Sequence, residues 1–422
     1  MEKDQKIKKY TDIFLRIVKH YVLKYNEHAF ELHFGQDNPI RIGESSKIIT
    51  VRIKDPEAVF RRIFVEGSLG LGESYCEGKI EIADEYYKYF LFIFVRALYD
   101  KRIVFGLSFK DIFTLFIAGF LKGGLYSKET REENISLHYS LSEWFDSEDD
   151  SNTFYLYWLD SPYIQYTCGK WDADTKTVEE AQFNKLSFYA KRLGITEASK
   201  GQTLLDLGCG WGGLMFFMAE KFGLSCTGLT LSKAQARYIE KEAERRKINH
   251  LVKVIVKDIH DMDGSYDHIT SVGLLCHIKE YDDLYKKVSR ALKNDGSVLF
   301  HMICRQVFDQ GLFYKPDPFI LKYIFPGAAT VNIKRNLRIS RRYFSYVDRN
   351  DLPYLSYPKT LDAWLKKFCD NEVQIRQLLK DKSKVQDVDF AIRVFKHYLV
   401  LSSCGLSVNG WVSNILLKHP KK

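Results

Sequence analysis

Leu204-Leu205-Asp206-Leu207-Gly208-Cys209-Gly210-Trp211-Gly212-Gly213 passes from an apolar run to an acid and then to a cluster of glycines, and a helical pattern begins at Leu214. That order is a strand, a tight turn and a helix N-terminus, the arrangement in which doubly wound α/β proteins hold nucleotide-like ligands. Glycine suits the turn because it accepts positive φ and lets a ligand lie against bare backbone. Dinucleotide sites use similar glycines, so the next strand decides between the two. Cys226-Thr227-Gly228-Leu229 lacks the acid that holds a dinucleotide ribose about 20 residues on, and Thr230-Leu231-Ser232-Lys233-Ala234-Gln235 follows instead. The pattern predicts a site for S-adenosylmethionine rather than NAD.

Outward from this loop, apolar strands are predicted at 203–207, 225–229, 252–256, 267–273 and 296–303, with amphipathic helices between them. This is the alternation of an α/β sheet domain. Ligands of such sheets bind outside the carboxyl ends of the strands. Gly208 and Gly210 are placed against the amino-acid part of the sulfonium ligand, and Thr230 and Leu231 against the ribose, with Gln235 completing that stretch. Asp258 is positioned for the adenine amino group and Ile259 for the ring face. The fourth strand ends at Ser271-Val272-Gly273-Leu274-Leu275-Cys276-His277. Plainer roles stay open for three of these residues: Asp258 as a helix N-cap, Cys276 as a small buried apolar residue, and His277 as a satisfied core histidine.

At 422 residues the chain suits two or three domains, each able to bury a sizeable core. Its net charge of +9 is spread along the chain, which suits an anionic partner; no nucleic-acid partner is expected. Eight cysteines form no Cys-x-x-Cys pair and no zinc spacing, so no metal site is expected. Without a signal peptide, reduced thiols in a cytoplasm are the simplest reading. The longest apolar stretches, Tyr89 to Val95 and Ile112 to Leu121, fall short of the roughly 20 residues a membrane span needs. Aromatic residues make up 14% of the chain, which suits an aromatic-rich core, a large apolar cavity or a membrane-facing surface.

Residues 1–25 carry Ile7, Tyr10, Ile13, Phe14, Ile17, Val18, Tyr21 and Val22 at helical spacing, with Lys6, Lys9, Arg16, Lys19 and Lys24 on or near the opposite face. Such a helix either lies on anionic lipid or caps its own domain. Residues 29–85 read as short alternating strands, with a glycine-punctuated stretch at 67–78. Residues 86–125 read as helical, 127–153 as polar, and 306–422 as mostly helical after a turn at Pro326-Gly327.

Taken together, these stretches resemble the cyclopropane fatty acid synthase family over most of the chain. The family's glycine loop stands almost unchanged at 205–213, and Gly228-Leu229-Thr230-Leu231-Ser232-Lys233 follows at its usual place. Glu66 to Tyr75 is similar to a stretch of the N-terminal domain in the two-domain enzymes. His138-Tyr139-Ser140-Leu141-Ser142, Tyr166-Thr167-Cys168-Gly169-Lys170-Trp171, Lys322 to Gly327 and Tyr357 to Trp364 match further motifs.

The resemblance implies a class I methyltransferase sheet (126–422) with a smaller N-terminal α+β lipid-binding domain (1–125). It implies methyl transfer from S-adenosylmethionine to the cis double bond of an unsaturated phospholipid acyl chain, giving a cyclopropane ring. The expected location is cytoplasmic, peripheral to an anionic membrane surface at its inner face, with a homodimer as the expected oligomer. Tyr166 and Thr167 join the cofactor-binding set. Bicarbonate is the implied base, held near Cys168, His301, Ile303 and Tyr357. The family's bicarbonate-orienting glutamate is replaced here by Cys276, in Ser-Val-Gly-Leu-Leu-Cys276-His277. Its loss leaves open a branched or hydroxylated product, or a relative that binds lipid or S-adenosylmethionine without turnover.

Overall fold

A computed structural model describes residues 11–20, 22, 28–35, 38–99, 145, 154–305, 317–329 and 331–421. His138 to Ser142 and the apolar stretch at 112–121 lie outside these. Two compact units are present. The first takes the described residues up to 99 together with 317–326 and 385–408, and the second takes most of the remainder. The cut expected near residue 125 falls outside the described residues. In space the first unit also draws on two segments from late in the chain.

In the first unit, β1 (Ala29–Phe34), β2 (Ile40–Ile42), β3 (Ile48–Ile53) and β4 (Ile80–Glu81) form a sheet in the order β2-β1-β3-β4. Alternation sets the faces: Phe30, Leu32 and Phe34 of β1 and Ile49, Val51 and Ile53 of β3 are buried. Residues 11–20 are helical and bury Ile13, Phe14 and Val18, and the Phe14 ring packs with Phe34 and Phe60. This apolar face caps the unit's own core, while Arg16 and Lys19 are exposed.

The stretch read as strands and glycine turns is helical over Pro56–Glu66 and Ser68–Cys76. Asp55 caps the first helix by accepting from Ala58 N at 3.1 Å, and Pro56 fixes its first turn. The glycines there allow close packing instead of turning the chain. A Cβ on Gly70 would lie 2.2 Å from the Arg62 carbonyl, and one on Gly72 would lie 2.5 Å from His397 Nε2.

The second unit is built on β5 (Thr203–Leu207), β6 (Ser225–Thr230), β7 (Val252–Val256), β8 (Tyr266–Val272), β9 (Leu292–Arg305), β10 (Phe344–Asp351) and β11 (Gly410–Pro420). Their order is β10-β11-β9-β8-β5-β6-β7. β5 to β9 pair in parallel, and β11 runs antiparallel between β9 and β10. The five strands predicted between 200 and 305 are all present. The two later ones lie in the region expected to be mostly helical.

Burial alternates across the sheet. Leu204, Leu299 and Leu416 enter one core cluster, and Leu205, Phe300 and Ile415 enter the other. The strand order reverses between β5 and β8, which opens a crevice at their carboxyl ends. Among the described residues no helix is long and apolar enough to cross a membrane.

Candidate active site

Three glycines shape the loop after β5. Gly208, Gly210 and Gly212 have φ of 73°, 55° and 79°, a region that side chains disfavour. Gly208 N and Cys209 N both donate to Leu229 O at 3.0 Å, which folds the loop over the end of β6. The helix Gly213–Phe222 then begins against the segment before it: a Cβ on Gly213 would lie 1.7 Å from the Tyr163 carbonyl oxygen. At Gly210 a Cβ would meet nothing within 4 Å, so bare backbone faces open space at the crevice.

At the second strand end, the Thr230 hydroxyl donates to Gln235 Oε1 at 2.7 Å and accepts from Ser232 N at 3.1 Å, bracing its own turn. Leu231 beside it is 72% exposed, a large apolar side chain left open next to the loop. Asp258 caps the short turn Ile259–Asp261 by accepting from His260 N at 2.8 Å. Ile259 is 8% exposed and packs in the core with Leu207 and Leu229.

At the fourth strand end, Gly273 has φ of 77°, and a Cβ there would lie 2.9 Å from Thr167 Cγ2. The Tyr166–Gly169 segment is thereby brought against the β8 loop. Cys276 packs with the cluster that holds Leu275 and Cys304, and its thiol donates to Gly273 O at 3.3 Å. Burial pushes that thiol's pKa up to about 11. His277 is exposed, not a core histidine, because the short turn Leu275–His277 carries it to the surface.

Residues 166–171 are held from two sides. Gly169 N and Trp171 Nε1 both donate to Thr360 Oγ1, at 3.0 and 2.9 Å, from the helix Ser356–Asp370. From the helix Val178–Leu193, Gln182 Nε2 donates to Thr167 O and Lys185 Nζ to Thr167 Oγ1, each at 2.8 Å. A Thr177–Glu180 capping box starts that helix. Its buried face presents Gln182, Lys185 and Tyr189 to the site.

The sheet beneath is also polar. Asp206 accepts from Thr270 Oγ1 at 2.8 Å, and burial raises its carboxyl pKa to about 6. Burial pulls the Lys185 ammonium well below its usual range, against the opposing pull of Asp160, and raises Asp160 in turn. His301, 1% exposed, has its Nδ1 bound by the Tyr189 hydroxyl. Burial first, and then the Lys185 charge, hold the ring neutral with a pKa near about 3.

Cys168, Val412 and Leu352 form one buried cluster with Tyr357 packed against it, and Val412 pairs across the ladder with Ile303. The fold therefore brings Cys168, His301, Ile303 and Tyr357 together and leaves Cys276 in another cluster. Aromatic rings line the same region: Tyr155–Trp211 at 5.1 Å, Trp158–Tyr166 at 5.3 Å, Tyr166–Trp364 at 5.5 Å and Tyr357–Trp364 at 6.4 Å between centroids.

Four site residues escaped the sequence reading: Asp160, Lys185, Tyr189 and Asn414. The amide of Asn414, opposite His301 on β11, is buried and interacts with the His301 ring. Polar residues at 182 and 185, three apart on a helix with an apolar face, were the available signal for the helix. For Asn414 the sequence carried no signal, since its strand was not recognised.

A sheet of this order, with an open glycine turn after its first strand, defines a class I S-adenosylmethionine-dependent methyltransferase. Among solved structures, a mycolic acid cyclopropane synthase complexed with S-adenosylhomocysteine and CTAB superposes with a TM-score of 0.54 at 26% identity, covering 68% of this chain and 100% of that one. A family model described as mycolic acid cyclopropane synthetase matches residues 126–409. The chain is 32% identical over 351 residues to the cyclopropane-fatty-acyl-phospholipid synthase of Escherichia coli strain K12, covering 83% of this chain and 82% of that protein. It is 31% identical over 242 residues to cyclopropane mycolic acid synthase 1 of Mycobacterium tuberculosis, covering 55% of this chain and 80% of that one. The chain belongs to the cyclopropane fatty acid synthase family.

Proposed function

We propose that this protein transfers the methyl group of S-adenosylmethionine to the cis double bond of an unsaturated phospholipid acyl chain and closes it to a cyclopropane ring. One observation carries the reading: an open glycine turn at Gly210 lies in the same sheet crevice as buried Cys168 and His301 and half-buried Ile303 and Tyr357. The space at Gly210 fits S-adenosylmethionine. Gly208, Gly210, Tyr166 and Thr167 would hold its amino-acid part, and Thr230, Leu231, Gln235, Asp258 and Ile259 its nucleoside. The neutral, buried His301 ring suits a small oxyanion, and bicarbonate is the base we assign there.

When bound, S-adenosylmethionine would supply the electrophilic methyl and bicarbonate, near Cys168, His301, Ile303 and Tyr357, would supply a base for the proton lost on ring closure. The protein's own part is positional and electrostatic. An alkene is a weak nucleophile, so catalysis rests on alignment and exclusion of water. Tyr166 and Tyr357, half-buried beside the fully buried Trp158 and Trp364, offer aromatic faces to a developing carbocation. The related enzymes favour ring closure over a branched or hydroxylated product and over a role without turnover.

We place the protein in the cytoplasm, peripheral to the anionic inner face of the membrane, as a homodimer, with the first unit as its lipid-binding part. Arg16 and Lys19 of the helix at 11–20 and Arg41 of β2 rim one open cleft of that unit, which supports the membrane reading. Incubation with cis-unsaturated phospholipid vesicles and S-adenosylmethionine tests the activity. Acyl chains that each gain one CH2 are expected, and unchanged chains where a known relative is active would overturn the reading. Binding to anionic vesicles should weaken as salt rises, and salt-independent binding would remove the electrostatic docking. Sedimentation as a monomer would remove the dimer.

A further inference from the structure

The helix Ile333–Tyr343 carries more charge of one sign than its own fold explains. Its buried face is Ile333, Asn336, Ile339 and Ser340, with both isoleucines in the core and Asn336 Oδ1 accepting from Tyr285 Oη at 3.0 Å. Its exposed face is Lys334, Arg335, Arg338, Arg341 and Arg342. Neither Asp nor Glu occurs between Asp317 and Asp348. Arg338 has Lys334, Arg335, Arg341 and Arg342 at three or four residues' distance, the spacing at which like charges repel and opposite ones stabilise a helix. The helix dipole accounts for Arg341 and Arg342 in the last turn, and for Lys421, whose Nζ donates to Arg341 O at 2.9 Å. It opposes Lys334 and Arg335, which stand in the first turn, where anions are favoured. Arg342 pairs with Asp282 at 2.9 Å, and the Arg335 guanidinium lies 5.5 Å from the centre of the Tyr281 ring. Among the described residues, Lys334, Arg338 and Arg341 have no carboxylate partner.

We propose that this helix is a membrane-docking surface of the second unit, a rigid cationic face that lies against the anionic headgroups of the bilayer holding the substrate. This rests on the reading of a phospholipid acyl chain as the substrate, since a bilayer is what presents such a chain. The face is distinct from the cleft at Arg16, Lys19 and Arg41, which belongs to the first unit. Docking here is by charge and not by insertion, because Ile333, Leu337 and Ile339, the helix's aliphatic side chains, all pack against the core. A lipid surface fits better than a single-stranded nucleic acid, because no fully exposed aromatic ring stands on the helix for a base to stack on. Headgroup phosphates relieve the repulsion around Arg338 and leave the buried face undisturbed. Each Lys or Arg near an anionic leaflet corresponds to roughly fivefold in affinity.

The test is cosedimentation of the full chain with vesicles of phosphatidylglycerol and phosphatidylcholine at low salt. The triple variant Lys334→Gln, Arg338→Gln, Arg341→Gln loses three charges and should bind roughly a hundredfold more weakly. Arg338→Gln alone should bind about fivefold more weakly, and Arg338→Lys, which keeps the charge, should bind as wild type does. None of these side chains belongs to the site, so S-adenosylhomocysteine affinity and turnover of detergent-dispersed unsaturated phospholipid should stay at the wild-type level. That turnover also separates docking from the substrate reading: its absence in wild type overturns the substrate, whatever the vesicles show. Wild-type vesicle affinity in the glutamine variants overturns the helix as a docking surface and leaves the first-unit cleft in that role. A wild type that binds no anionic vesicle overturns both surfaces. Tighter binding to single-stranded RNA than to the vesicles at the same salt overturns the lipid as the partner of this face.

Discussion

Lys185 is fully buried, and its ammonium donates to the Thr167 hydroxyl. An ammonium can only donate, so Thr167 must accept there, and its own proton is free to point at a ligand carboxylate. Asp160 and Asp206 are the acids that interact with Lys185. Lys185→Met removes the countercharge and the anchor together. Leaving buried polar groups without their partner costs about 1–3 kcal/mol. Denaturant unfolding should register a loss of that size, with weaker S-adenosylhomocysteine binding; unchanged stability and affinity would contradict the assignment. Tyr166, Thr167 and Cys168 were legible in the sequence because they sit together in one motif. Lys185 was not, because a lysine on an amphipathic helix reads as a solvent-facing charge until the packing is seen.

Among the elements, the strand–turn–helix at 203–222 was the most legible, because each glycine has a separate physical reason to be there. Two of them make opposite predictions. Gly213→Ala drives a Cβ into the Tyr163 carbonyl and should destabilise the fold by about 1–3 kcal/mol or more. Gly210→Ala meets no protein atom and costs only about 1–2 kcal/mol for its left-handed backbone. Its methyl enters the space assigned to the cofactor, so S-adenosylhomocysteine affinity should fall sharply in a folded protein. Wild-type affinity in Gly210→Ala would contradict that placement. β11 was the least legible element. Val412 to Leu417 are buried on both faces, so the strand lacks the alternation that marks a half-buried one. Missing β11 meant missing Asn414. The segment 56–76 misled for another reason: its glycines read as turns, while the fold uses them for contact between helices.

For the whole molecule, linear order hides how the first unit is completed. Buried Glu73 accepts from Lys322 Nζ and Tyr323 Oη, each at 2.8 Å, and Tyr87 Oη lies 2.5 Å from His397 Nδ1. Phe319 packs edge-on to the His397 ring. No composition shift marks 317–326 or 385–408 as belonging with the first hundred residues, so a cut at 125 was the natural reading of the sequence. A fragment of residues 1–125 lacks these partners and should show no cooperative unfolding transition. A cooperative transition in that fragment would contradict the shared core.

The decisive measurement follows the label through the reaction. Cis-unsaturated phospholipid vesicles are incubated with the protein and S-adenosylmethionine bearing a CD3 methyl group, and the fatty acids are read by mass spectrometry. Ring closure removes one deuteron from the transferred methyl, so the product should carry two deuteriums. A product that keeps all three would mean the cation is resolved by another proton loss or by water, and would contradict cyclopropane formation.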